Sequence, residues 1–153
     1  MIRWWTAGIA IGVALSGCVT GLEQPAFSGA TMSPQNLEPG DAAVITVKVN
    51  DNFGVVKTVE GRVLEDTTIT FYFRDDGTKS DEVAGDGIWT MKVQVPFNAP
   101  PGGYTFEIQG FDQDGNLVVV HDENKEAVPL STSLTLDITY PEAEAEPESE
   151  ETE

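Results

Sequence analysis

From about residue 43 to residue 138 the apolar residues of this chain return at every second position, and no stretch of useful length repeats at helical spacing. Ile45, Val47 and Val49 alternate with Thr46 and Lys48, and Ile69, Phe71 and Phe73 alternate with Thr70 and Tyr72. Trp89, Met91, Val93 and Val95 alternate with Thr90, Lys92 and Gln94. Tyr104, Phe106 and Ile108 do the same with Thr105 and Glu107, as do Leu134, Leu136 and Ile138 with Thr135 and Asp137. Successive side chains of an extended strand point to opposite faces, so each run carries one apolar face and one polar face. Such strands have to pair edge to edge and then bury their apolar faces against a second layer.

The runs predict strands at 43–50, 55–64, 67–74, 88–95 and 103–110 and a last one through Leu134–Ile138. A short strand at Leu117–Val120 extends as a hairpin before it, and an edge strand falls near Ala26–Met32. Gly, Pro, Asn and Asp punctuate the runs at Asn52–Gly54, Asn98–Gly103 and Asp112–Asn116. About seven short strands at this spacing predict an all-β chain, an antiparallel β-sandwich of the immunoglobulin or fibronectin type. The predicted domain runs over 37–140, a length that suits one hydrophobic core. Trp89 shares its face with Met91 and Val93 and is assigned to that core.

Three segments, PGDAAVITVKVND, DDGTKSDEVAGDGIWT and PPGGYTFEIQGFDQDGN, resemble the Ig-like domains of bacterial surface-anchored and secreted proteins. Those domains carry a comparable acidic loop of the form D-D-G, a later Asp, G-D-G and an aromatic, then a G-x-Y strand ending in D-x-x-G-N. The resemblance covers Gly40 to Asn116 and implies the fold; one sandwich hosts many unrelated roles, so it implies little about activity. It also puts Tyr104 where such sandwiches form a tyrosine corner.

The first residues, MIRWWTAGIAIGVALSGC, combine one basic residue at Arg3, an apolar stretch from Ala7 to Leu15 and small residues before a cysteine. That is the pattern of a secretory signal over 1–17, and it is too short for the about 20 helical residues that cross a bilayer. Leu15-Ser16-Gly17-Cys18 resembles the lipobox of bacterial lipoproteins, which implies cleavage before Cys18 and acylation of that residue. The implied address is the cell envelope, with the protein lipid-anchored in a membrane. In an organism with two membranes this is the outer one, because Val19 stands where an aspartate marks inner-membrane retention in enterobacterial relatives. The bland alternative is an ordinary signal or uncleaved anchor with a chance cysteine. Cys18 is the one cysteine of the chain, which excludes intrachain disulfides and, once acylated, thiol chemistry. Residues 18–36 are small, polar and Pro-bearing and read as a tether.

The formal charge is −18, and seven glutamates fall in the last segment, PEAEAEPESEETE. Such a run repels itself and buries no apolar surface, so 141–153 reads as a disordered acidic tail. It is either a solubilising end or an arm for a basic partner or loosely held cations. The charge offers no basic patch for nucleic acid. Catalytic candidates are few: His121 is the sole histidine, and there is no Ser/His signature or phosphate loop, so no enzyme is expected. Two non-catalytic classes remain. One is a structural or interaction module that meets an envelope protein at a sheet edge. The other is a carbohydrate- or surface-ligand-binding module using exposed rings, for which Phe53, Tyr72, Phe97 and Phe111 are the candidates.

The stretch DDGTKSDEVAGDG, 75–87, is the densest acidic loop. If each predicted strand runs antiparallel to the one before, the loops after 43–50, 67–74 and 103–110 share one end of the sandwich. Asp75, Asp76, Asp81 and Asp86 then lie near Asp51, Asp112 and Asp114, with Glu82 beside them. Calcium takes six to eight hard oxygen ligands from carboxylates, carbonyls and water, which makes the first four aspartates candidate Ca2+ ligands. The opposing reading is a polar turn, because Asp, Asn and Gly are turn residues in their own right and the spacing fails the EF-hand pattern. The sequence leaves both open.

Overall fold

The computed structural model describes residues 23–140, and the signal segment, Cys18 and the acidic tail lie outside them. Two sheets stack as a sandwich. One has the order β1 (Ala26–Ser33), β3 (Ala42–Asn50), β6 (Ile88–Gln94). The other has the order β2 (Asn36–Leu37), β10 (Ser131–Ile138), β7 (Gly102–Phe111), β4 (Thr58–Val63), β5 (Asp66–Tyr72). The hairpin β8 (Val119–His121) and β9 (Ala127–Pro129) extends from the end of β7, where Leu117 bridges Phe111. All pairings are antiparallel apart from the two-residue β2 beside β10. Among the described residues no helix is long and apolar enough to cross a membrane.

The expected antiparallel sandwich is therefore present, with seven longer strands and the predicted hairpin. Tyr104 forms the corner bond: its hydroxyl donates to the Pro100 carbonyl at 2.8 Å, four residues upstream. The domain boundary needs correction. Part of the segment assigned to the tether, 26–36, belongs to the sandwich, because β1 pairs with β3 from Ala26↔Asn50 to Ser33↔Val44 and buries Met32.

The alternation delivers the core. Ile45 and Val47 of β3 face Val59 of β4 and Phe106 and Ile108 of β7, all with essentially no solvent exposure. Phe106 is the centre of the aromatic packing, with ring centroids 5.6 Å from Phe71 and 6.4 Å from Phe73. Its ring lies directly over Gly61 of β4, where a Cβ would collide with the ring carbons. Glycine in a strand weakens it, so its presence here answers a need for space. Gly61→Ala is expected to cost about 1–3 kcal/mol as overpacking, read as a lowered midpoint in urea. A midpoint equal to that of the native chain would mean that Phe106 has room to move.

Two expectations fail in the larger sheet. The alternation places Ile69 on a buried face, yet it is 51% exposed, because β5 is the outer strand of five facing a sheet of three. The strand expected from 55 begins at Thr58, because the Asp51 carboxylate accepts the Val56 amide at 2.7 Å and holds 51–56 as a loop. Trp89 is half-buried and packs against the core from its rim.

Candidate metal centre

Strand register fixes which loops meet. The end of β3 pairs Asn50 with Ala26 and Lys48 with Ile88, while β4 begins with Thr58 opposite Phe111 and Glu60 opposite Tyr72. The loops after β3, β5 and β7 thus leave from one pole, as the antiparallel reading expected. The loop from Phe73 to Gly87 also carries the chain from the five-stranded sheet to the three-stranded one. It enters through reciprocal backbone bonds between Arg74 and Thr90, at 2.9 and 2.8 Å. It leaves through the Gly87 carbonyl, which accepts the Val49 amide at 2.8 Å.

Within this loop the backbone folds around Asp75. Gly85 and Gly87 take φ of 73° and 79°, a region that L side chains rarely adopt. The amides of Gly85, Asp86 and Gly87 point at the Asp75 carboxylate, at 2.8, 3.2 and 3.2 Å. A turn with the Asp81 amide bonded to the Thr78 carbonyl brings Asp81 inward, where it is 6% exposed and accepts the Gly77 amide at 2.5 Å. The Asp86 carboxylate accepts the Ile88 amide at 2.8 Å. As a result Asp75, Asp81 and Asp86 bring carboxylate oxygens within 4.8 Å of one another. A carboxylate offers about four lone-pair sites, and the amides fill only some of those on each residue, so all three can still coordinate a cation. Among the described residues the two ion pairs are Arg62 with Glu107 and Arg74 with Asp76, so no side-chain cation neutralises this trio.

The remaining candidates are held elsewhere. Asp76 turns away: its Oδ1 takes the Thr78 amide and hydroxyl, and its Oδ2 takes Arg74 at 2.9 Å. The Thr78 hydroxyl, followed by the neighbouring Arg74 guanidinium, holds its carboxyl below the usual carboxylate range. Asp51 binds the amides of Phe53 and Val56. Asp112 gathers the amides of Asp114 and Asn116, and the Asn116 amide leads in holding its carboxyl below the usual range. Asp114 and Glu82 are exposed. These three aspartates, Asp76, Asp51 and Asp112, stabilise turns, and for Asp76 the sequence carried a signal. Asp followed two residues later by Thr forms the same bond pair at Asp66 and Thr68.

The exposed rings are scattered. Phe53, in the loop after β3, and Phe97, in the loop after β6, lie at opposite poles, at 61% and 80% exposure. Phe97 rests against Gly40, Tyr72 stands on the outer strand, and Phe111 is half-buried. His121 ends β8 on the surface, its backbone clamped by Gln24 through bonds of 2.6 and 2.8 Å.

The sequence matches no protein-family model and no curated protein. Among solved structures the chain is similar to the Pseudomonas fluorescens alkylpurine DNA glycosylase AlkC, bound to DNA containing an abasic site analog. That likeness has a TM-score of 0.41 and 9% identity over 75% of this chain, which spans 30% of the glycosylase chain. It is also similar to a Niemann-Pick type C2 protein from Japanese carpenter ant, with a TM-score of 0.40 and 17% identity, over 78% of this chain and 96% of that one.

Proposed function

We propose that this chain is a lipid-anchored module of the bacterial cell envelope. In this reading its sandwich performs no chemistry, and a calcium ion held by Asp75, Asp81 and Asp86 stiffens one pole. The observation that carries the metal half is the convergence of three carboxylates, one of them almost fully buried, with no ion pair to a side-chain cation among the described residues. Like charges so placed repel, and a divalent ion turns that cost into attraction. Calcium suits the set because it accepts irregular shells of carboxylate, carbonyl and water oxygens, and the exposed Asp86 leaves one side open to water. The bound ion would tie 75–87 into a single unit where the chain passes between the sheets. Equilibrium dialysis against labelled calcium is expected to give one ion per chain, with a dissociation constant of about 0.1–1 mM, the range of extracellular sites. No saturable uptake in that range would remove the metal from the proposal.

The anchor rests on the sequence LSGC. Two or more acyl chains hold a protein stably on a bilayer where one does not, so the domain needs no membrane-binding face of its own. Cys18→Ser is expected to abolish incorporation of labelled palmitate and to leave the protein unprocessed or released from the membrane fraction. Labelling or detergent partitioning that persists in the variant would contradict the anchor without touching the metal site.

A further inference from the structure

The two sheets touch through Arg74 and Thr90 at the acidic pole, and beyond that bridge their outer strands β5 and β6 part. At the end of that gap away from the bridge opens a cleft of about 530 Å3 that reaches the core. Its floor is Ile45, Phe106 and Ile138, and its walls are Ile69, Phe71 and Val93, which remain partly exposed. The size and the apolar lining with a few polar groups at the mouth are those of small-molecule sites.

We propose that this cleft binds one single-chain amphiphile with a neutral or cationic headgroup, its apolar tail lying between the sheets. Charge at the mouth selects the headgroup. Among the described residues Glu65 and Asp66 are the charged residues that line this end of the gap, while Arg74, Lys79 and Lys92 line the adjoining groove nearer the bridge. Both are kept ionised by bonds from the chain: the Thr105 amide lies 3.0 Å from each Glu65 oxygen, and Asp66 takes the amide and hydroxyl of Thr68. An anionic headgroup meets two fixed negative charges there, and a cationic one meets complementary charge. The rim is braced: Tyr104 donates to the Pro100 carbonyl and Tyr140 to the Ala99 carbonyl, at 2.8 and 2.9 Å, so the opening is preformed. A preformed apolar site spares a ligand the cost of ordering it.

The test is a Nile red titration of the full chain, followed by displacement with dodecyltrimethylammonium, dodecyl maltoside or dodecanoate, each below its micellar concentration. One saturable Nile red site is expected, displaced by the first two and about tenfold more weakly by dodecanoate. Ile69→Asp, on an exposed edge position whose fold is checked by circular dichroism, is expected to weaken Nile red at least about tenfold. Glu65→Gln with Asp66→Asn should bring dodecanoate level with the maltoside. The proposal is overturned by the absence of a saturable site, by binding unchanged in Ile69→Asp, or by equal affinity of the native chain for the anionic and cationic chains. Displacement by an extended peptide but by none of the amphiphiles would also overturn it, assigning the cleft to strand addition.

Discussion

Phe106→Ala is expected to remove about 3–5 kcal/mol of folding free energy, the usual cost of emptying a buried aromatic site. Phe106 is 1% exposed and is the ring that both Phe71 and Phe73 pack against. The vacated space cannot be refilled from beneath, because the residue under the ring is Gly61, which has no side chain to move inward. Domains of this size are stable by about 5–15 kcal/mol, so the variant is left with a small margin or none. Urea unfolding at 25 °C is the measurement, with Phe97→Ala as the control. Phe97 is 80% exposed, and its loss is expected to change stability by no more than about 0.5 kcal/mol. A loss below about 1 kcal/mol for Phe106→Ala would contradict this account of the core.

The core was legible because alternation is a local property. Ile45 and Val47, or Phe106 and Ile108, declare one face within three residues, and the sandwich follows from covering those faces. Ile69 has the same local pattern and sits in the open, because burial depends on what the opposite sheet supplies. Nothing near Ile69 in sequence says that five strands face three. The pole was legible for a topological reason, since strict up-and-down succession of strands sends alternate loops to one end. The choice of ligands within the pole was not. Asp75 and Asp76 are adjacent and chemically identical, yet one points to the glycine amides of its own loop and the other to Thr78 and Arg74. Backbone dihedrals at Gly85 and Gly87 decide that division, and composition does not reveal them.

Calcium is expected to raise the melting temperature by about 5–20 °C at about 10 mM. With a dissociation constant of about 0.1–1 mM the ion stands at ten to a hundred times that constant. A ligand bound by the folded state alone then adds about 1.4–2.7 kcal/mol. For a domain near a hundred residues each kcal/mol shifts the midpoint by about 4–8 °C. Magnesium should do much less, because it demands a tight octahedral shell and gives up its water reluctantly. Sodium at matched ionic strength screens the acidic surface and sets the baseline that the specific effect must exceed.

Asp81→Asn separates a metal site from a polar turn. An asparagine carbonyl can still accept the Gly77 amide, so the turn survives, while one of three mutually repelling charges disappears. Thermal melts of the native chain and Asp81→Asn, each in calcium, magnesium and matched sodium, therefore decide between an ion site and a polar turn at this pole. A calcium-specific rise is expected for the native chain, no such rise for Asp81→Asn, and a variant at least as stable as the native chain when calcium is absent. Equal shifts in all three salts, or a calcium rise that survives the substitution, would contradict the ion site.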